Sequence, residues 1–189
     1  MKKELKITLV IIGIVLLLVF PIIGGYNKIV TLEQAVLNSQ SNIETNLQRR
    51  NDLIPNLVNT VKGYATQEKD IFKDIANARA KLGGAKTINE RANADAELSS
   101  SLSRLLLVVE NYPDLKSNQN FKDLTVALEG TENRINIARQ DYNKMVGAYN
   151  TTIKRFPNSI ISSVFRFQPK EYYKASESAK EVPKVDFSK

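Results

Sequence analysis

Two clusters hold the residue types that chemistry draws on. The first is Arg49-Arg50-Asn51-Asp52-Leu53-Ile54-Pro55-Asn56-Leu57, followed by Val61-Lys62-Gly63-Tyr64. Its adjacent guanidinium forks can grip a carboxylate or phosphate bidentately, as an anion or acidic-partner site. A plainer reading gives Asp52 a helix cap, Pro55 a bend and the Arg pair local partners, which accounts for each residue type without a ligand. The second cluster is Thr131-Glu132-Asn133-Arg134 with Arg139, then Tyr142-Asn143 and Tyr149-Asn150. Tyr-Asn repeated seven residues apart puts two aromatics at equivalent helix positions. That pattern builds either a peptide-binding groove between helices or, more simply, a core stripe whose buried amides fix register. Arg49, Arg50, Glu132, Arg134 and Arg139 are therefore the candidate partner-binding residues.

Catalytic material is thin. The 189 residues include no Cys, His or Trp, which excludes disulfides, zinc or haem ligation through Cys or His, and Ser-His-Asp or Cys-His machinery. Glu129 with Glu132, and Asp70 with Asp74, stand at helical spacing, yet a ferritin-like site also draws on a helical Glu-x-x-His pair. Solvated helix faces account for these carboxylates. No catalytic residue, metal ligand or cofactor is expected, and no small-molecule substrate is evident. The competing class is a His-independent hydrolase or transferase working through Lys, Glu or Ser in an interhelical groove.

The formal charge of +7 divides unevenly: +2 over residues 1–27, +1 over 28–153 and +4 over 154–189. In the middle, 16 basic and 15 acidic residues interleave, so no continuous stripe tracks a phosphate backbone and nucleic acid is not an expected partner. The excess sits at the two ends, where a membrane surface is the natural counterpart.

Residues 7–27 carry no charge, are rich in Ile, Leu and Val, and would measure about 30 Å as a helix, enough to span a bilayer. Pro21 and Gly24-Gly25 mark a bend or helix exit at the far end, with Tyr26 at the interface. A cleaved signal peptide is the alternative, but a cut after Gly24 or Gly25 would put Ile22 or Ile23 where a small residue is wanted. Lys2, Lys3 and Lys6 precede the span and only Lys28 closely follows it, which favours a cytoplasmic N-terminus and an extracytoplasmic bundle.

Beyond the span the apolar period is helical. Ile29, Leu32, Val36, Ile43, Leu47, Ile54, Leu57, Val61, Tyr64, Ile71, Ile75, Ala78 and Leu82 form one stripe, in which Pro55 marks either a kink or a hairpin. Gly83-Gly84 ends it. Leu98, Leu102, Leu105, Val109 and Tyr112 form a second stripe, stopped at Tyr112-Pro113. A third starts near Ser117 as N-cap and carries Phe121, Leu124, Leu128, Ile135, Ala138, Tyr142, Met145, Tyr149, Ile153 and Phe156 until Pro157. The fold class is thus all-α: an N-terminal transmembrane helix followed by an antiparallel up-and-down bundle of three to four long helices with coiled-coil-like seams. Its divisions are 1–27, cytoplasmic N-terminus and anchor; 28–157, bundle; and 158–189, an amphipathic segment and poorly ordered tail. Residues 160–167 either dock on lipid or fold back over the bundle end.

These strings together resemble the bacterial LemA family: Tyr26-Asn27-Lys28-Ile29-Val30 after the span, the run from Leu47 to Leu57, and Val61-Lys62-Gly63-Tyr64. Glu110-Asn111-Tyr112-Pro113-Asp114-Leu115-Lys116, Asn120-Phe121, Gly130-Thr131-Glu132-Asn133-Arg134-Ile135, Ala138-Arg139, both Tyr-Asn pairs, Phe156-Pro157 and the closing Pro183-Lys184-Val185-Asp186-Phe187 agree with it. The resemblance implies a single-pass or lipid-linked envelope protein with a helical bundle, no established enzymatic activity, and relatives associated with membrane remodelling or envelope stress. The expected partners are the bilayer and an envelope or membrane protein. Gln67 replaces a His common in relatives, and Gln40 a Trp. No lipobox Cys follows the apolar run, so attachment falls to the span itself.

Overall fold

In the computed structural model, which describes residues 2–65 and 67–174, the chain is helical and no strand occurs among the described residues. The described residues form six helices in order: α1 (Lys2–Lys62), α2 (Lys69–Gly84), α3 (Ile88–Val109), α4 (Pro113–Ser117), α5 (Gln119–Lys154) and α6 (Asn158–Val164). The chain divides into two compact units. One comprises Met1–Asn42 with Gln140–Glu171, the other Ile43–Arg139 with Tyr172–Lys189. The expectation of a poorly ordered tail falls mostly on 175–189, outside the described residues.

In the second unit the heptad phase of α1 buries Ile54, Leu57 and Val61 against Ile71, Ile75 and Ala78 of α2, Leu98, Leu102, Leu105 and Val109 of α3, and Phe121 of α5. The contacts fix the helix directions. Asp74 pairs with Arg104 and Lys81 with Glu97, so α2 and α3 run antiparallel. Asn51 meets Arg79 near one end of α2 and Lys62 lies over the Phe72 ring near the other, so α1 opposes α2 as well. Tyr64 meets Asn118 and Arg50 meets Glu132, which turns α5 against α1. The result is the up-down-up-down bundle its short connections dictate. Thr87 caps α3 through a full capping box with Glu90.

Several sequence expectations are corrected here. The chain neither leaves the helix at Pro21 or Gly24-Gly25 nor forms a hairpin at Pro55: α1 passes all of them as helix, which at Pro55 selects the continuous alternative, and Asp52 accepts from Gln48 within it instead of capping a new helix. Ile54 and Leu57 flank Pro55 and are both fully buried, so their burial offsets the roughly 3 kcal/mol that an interior proline costs. The chain reverses instead after Lys62. Asn118, not Ser117, caps α5 by accepting from the Phe121 N–H at 3.1 Å, because residues 113–117 form a short helix that buries Leu115. Phe156 and Tyr64 lie past helix ends, where the helical phase no longer aims a side chain inward, and both are exposed.

In the first unit, Ile29 and Val36 of α1 are buried, as are Tyr142, Val146, Tyr149 and Ile153 of α5 and Ile161 of α6. After α5 the chain turns through Pro157 into α6, and the Ser162 hydroxyl donates to the Ile153 carbonyl at 2.8 Å. Residues 160–167 fold back, but onto α1, with the Phe165 ring 4.8 Å from that of Tyr26. Gly25 permits this approach, since a Cβ there would lie 2.5 Å from Ile161 Cδ1. The apolar stretch of α1 near its N-terminus has a mean hydropathy of 3.0, is long enough to cross a membrane, and has no buried residue among those described. That stretch supports membrane localisation.

Candidate functional site

The second unit places four opposite charges inside the bundle. Arg50 stands in the α1 stripe between Leu47 and Ile54, and Asp95 stands in the α3 register three residues before Leu98, so helical phase turns both inward. Asp95 is fully buried and Arg50 nearly so. Arg50 Nη1 donates to Asp95 Oδ1 at 2.7 Å, and Nη2 donates to Ser99 Oγ at 3.0 Å. Arg139 of α5 donates to the other oxygen, Asp95 Oδ2, and the Tyr173 hydroxyl lies 3.4 Å from the same atom. The Arg139 guanidinium sits 5.0 Å from the Tyr173 ring centroid. Glu132 Oε2 completes the set 2.9 Å from Arg50 Nη1; the N–H is not aimed at it, so this is an ionic contact without a hydrogen bond.

Two guanidiniums and two carboxylates sum to zero, and that balance allows such a set inside a core. Burial lowers the Arg50 pKa from its usual value while the Glu132 carboxylate opposes the shift, and the guanidinium stays charged. Of the two adjacent forks, that of Arg50 is engaged within the bundle and that of Arg49 is exposed. The arrangement ties α1, α3, α5 and residue 173 in one register.

Of the residues singled out in the sequence, the structure brings together Arg50, Glu132 and Arg139. Arg49 and Arg134 are exposed and stand apart from them. Arg49 lines a shallow groove on the outer face of α1 with Glu44, Gln48, Asp52 and Asn56. Asp95, Ser99 and Tyr173 were missed, although Asp95 carried a signal: a carboxylate in the phase of Leu98, Leu102 and Leu105 needs a buried cation. No group of three or more Asp or Glu side chains suited to a metal occurs among the described residues.

The Tyr-Asn repeat serves the first unit. Asn150 Nδ2 donates to the Lys170 carbonyl and Asn150 Oδ1 accepts from the Lys170 N–H, each at 2.9 Å. The Tyr149 and Tyr142 hydroxyls donate to the carbonyls of Gln168 and Glu171. The repeat therefore grips an extended peptide, the chain's own residues 168–171, through main-chain atoms, while Lys170 pairs with Glu33 at 2.6 Å.

Burial raises the pKa of Tyr142, Tyr149 and Tyr173 above the ordinary 10.0; Glu171 and Glu33 add to the first two shifts, and Arg139 opposes the third. The native state then holds protons that the unfolded chain releases near pH 10. The associated stability is intact below about pH 10 and is lost as pH climbs through the raised values. Ultraviolet titration of the folded chain should show a late-ionising tyrosine class whose ionisation coincides with loss of helical signal. A single ordinary transition with helix retained would contradict it.

A family model described as the LemA family matches residues 39–187, a stretch that contains Arg50, Asp95, Glu132, Arg139 and Tyr173 and leaves out the apolar N-terminal stretch. The chain is 28% identical over 177 residues to Magnetosome protein MamQ 2 of Paramagnetospirillum magneticum, covering 78% of this chain and 64% of the relative. It is 26% identical over 174 residues to Magnetosome protein MamQ of Magnetospirillum gryphiswaldense, again covering 78% and 64%. With Protein LemA of Metamycoplasma hominis the identity is 22% over 162 residues, covering 84% of this chain and 73% of the relative. The chain thus spans a little under two thirds of the length of the MamQ proteins it matches.

Proposed function

We propose that this chain, which belongs to the LemA family, is a single-pass, membrane-anchored helical scaffold that presents its bundle to another protein of the bacterial cell envelope and performs no catalysis. The observation that carries the reading is α1 itself. One unbroken helix begins with an apolar stretch that has no buried residue among those described and ends as a core helix of the second unit. A helix apolar all round whose side chains stay largely exposed is suited to lipid. The flanking lysines favour a cytoplasmic N-terminus and an extracytoplasmic bundle.

Because Arg50 and Arg139 are engaged with Asp95, the partner face falls to the exposed side chains, and we place it at Arg49 on α1 and Arg134 on α5. A photoreactive residue at either position in intact membranes should give a discrete protein adduct; diffuse labelling at both would remove a partner there. Protease added to spheroplasts but not to intact cells should cut the bundle. Protection in spheroplasts with cleavage only after lysis would reverse the orientation.

A further inference from the structure

The seven residues of α6 are apolar on two sides. Ile161 is buried, while Ile160 and Val164, one turn apart, are exposed together with the following Phe165. A short surface helix in water does not carry an apolar outer face without a partner. Here the partner is indicated by what lies beside it. Leu17, Pro21 and Ile22 of the span and Pro157, Ile160, Ile161, Val164 and Phe165 together line an almost wholly apolar groove of about 690 Å³. One wall of that groove is thus the segment suited to lipid.

The charged residues in the sequence windows around these positions are basic. Arg155 precedes Pro157 by two residues, Arg166 follows Phe165 directly, and Lys28 lies two residues past Tyr26, whose ring packs on Phe165. All three are exposed, as is Lys154, and no acidic residue occurs in 154–170 or in 7–32. Exposed basic residues next in sequence to the residues that line an apolar slot match an anionic phospholipid, acyl chain inward and phosphate against the guanidiniums.

We propose that α6 and residues 165–166 lie in the membrane interface beside the span and form, with α1, a binding site for an anionic phospholipid. This rests on the anchor reading of α1. It adds a second membrane contact 140 residues further along the chain and a headgroup preference that a bare span lacks.

The absence of tryptophan makes a direct test available. Full-length variants carrying a single tryptophan, Val164→Trp in α6, Phe20→Trp in the span and Val126→Trp in the second unit, are reconstituted in phosphatidylcholine vesicles containing some phosphatidylglycerol. Bromine on the acyl chains of one lipid or the other, at equal mole fraction, serves as quencher. Fluorescence of the Val164→Trp variant should be quenched several-fold more by brominated phosphatidylglycerol than by brominated phosphatidylcholine. The Phe20→Trp variant should respond to both alike and the Val126→Trp variant to neither. Adding Arg155→Gln and Arg166→Gln should bring the Val164→Trp ratio to one. Equal quenching by both lipids, no quenching, or a preference that survives loss of the arginines overturns the site while leaving the anchor intact. Absence of quenching in the Phe20→Trp variant overturns the anchor, and the site with it.

Discussion

Asp95→Ala in the full-length, detergent-solubilised chain lowers unfolding stability by about 3–5 kcal/mol, whereas Arg49→Ala one position from the cluster stays within about 0.5 kcal/mol. The difference follows from burial. Asp95 is fully enclosed and neutralises both Arg50 and Arg139, so its loss strands a nearly buried guanidinium with only the off-axis Glu132 carboxylate beside it. Urea unfolding followed by circular dichroism reads the total effect. Hydrogen exchange locates it, with accelerated exchange expected in α1, α3 and α5 around positions 50, 95 and 139. A loss below about 1 kcal/mol, the range of exposed ion pairs, would mean that water already reaches the cluster.

The same reasoning separates a keystone from an activity. Replacing the set together, Arg50→Met with Asp95→Leu and Arg139→Met, removes the buried charges of the cluster and leaves Glu132, whose side chain is about one-third exposed, to be hydrated. Such replacements are often neutral or stabilising. The triple variant should therefore recover most of what Asp95→Ala loses, as a coupled network does and independent sites do not.

The apolar phase made most of the bundle legible in the sequence. Ile54, Leu57 and Val61, then Leu98, Leu102 and Leu105, are buried where their spacing placed them. The prolines were the weak points of that reading. Pro55 allowed a kink or a hairpin and Pro21 a bend or an exit, and α1 continues as helix through both; at Pro55 the burial of Ile54 and Leu57 outweighs one missing N–H. Arg50 was legible as unusual but not as buried. Seeing that required noticing that Arg50 in the phase of Leu47 and Ile54, and Asp95 in the phase of Leu98 and Leu102, were opposite charges on two different stripes. Tyr173 and residues 168–171 were out of reach, because an extended segment held by its main chain leaves no periodicity to find.

That strap yields the second large effect. Tyr149 is fully buried, and its hydroxyl donates to the Gln168 carbonyl at 3.1 Å, next to the double hydrogen bond between Asn150 and Lys170. Tyr149→Ala removes both the ring and the hydrogen bond, so a loss of about 3–5 kcal/mol is expected, in the range of large aromatic truncations. Tyr149→Phe keeps the ring and leaves one carbonyl unpaired, for about 1 kcal/mol. The two differ in kind as well as size. With alanine the main-chain grip on residues 168–171 loses its floor, and those amides should exchange and become protease-sensitive while α2 and α3 stay protected. With phenylalanine the strap should stay seated through Asn150. Equal proteolysis of both variants at residues 168–171 would mean that hydrogen bonding alone seats the strap; equal protection would mean that the Lys170–Glu33 pair and Asn150 hold it without Tyr149.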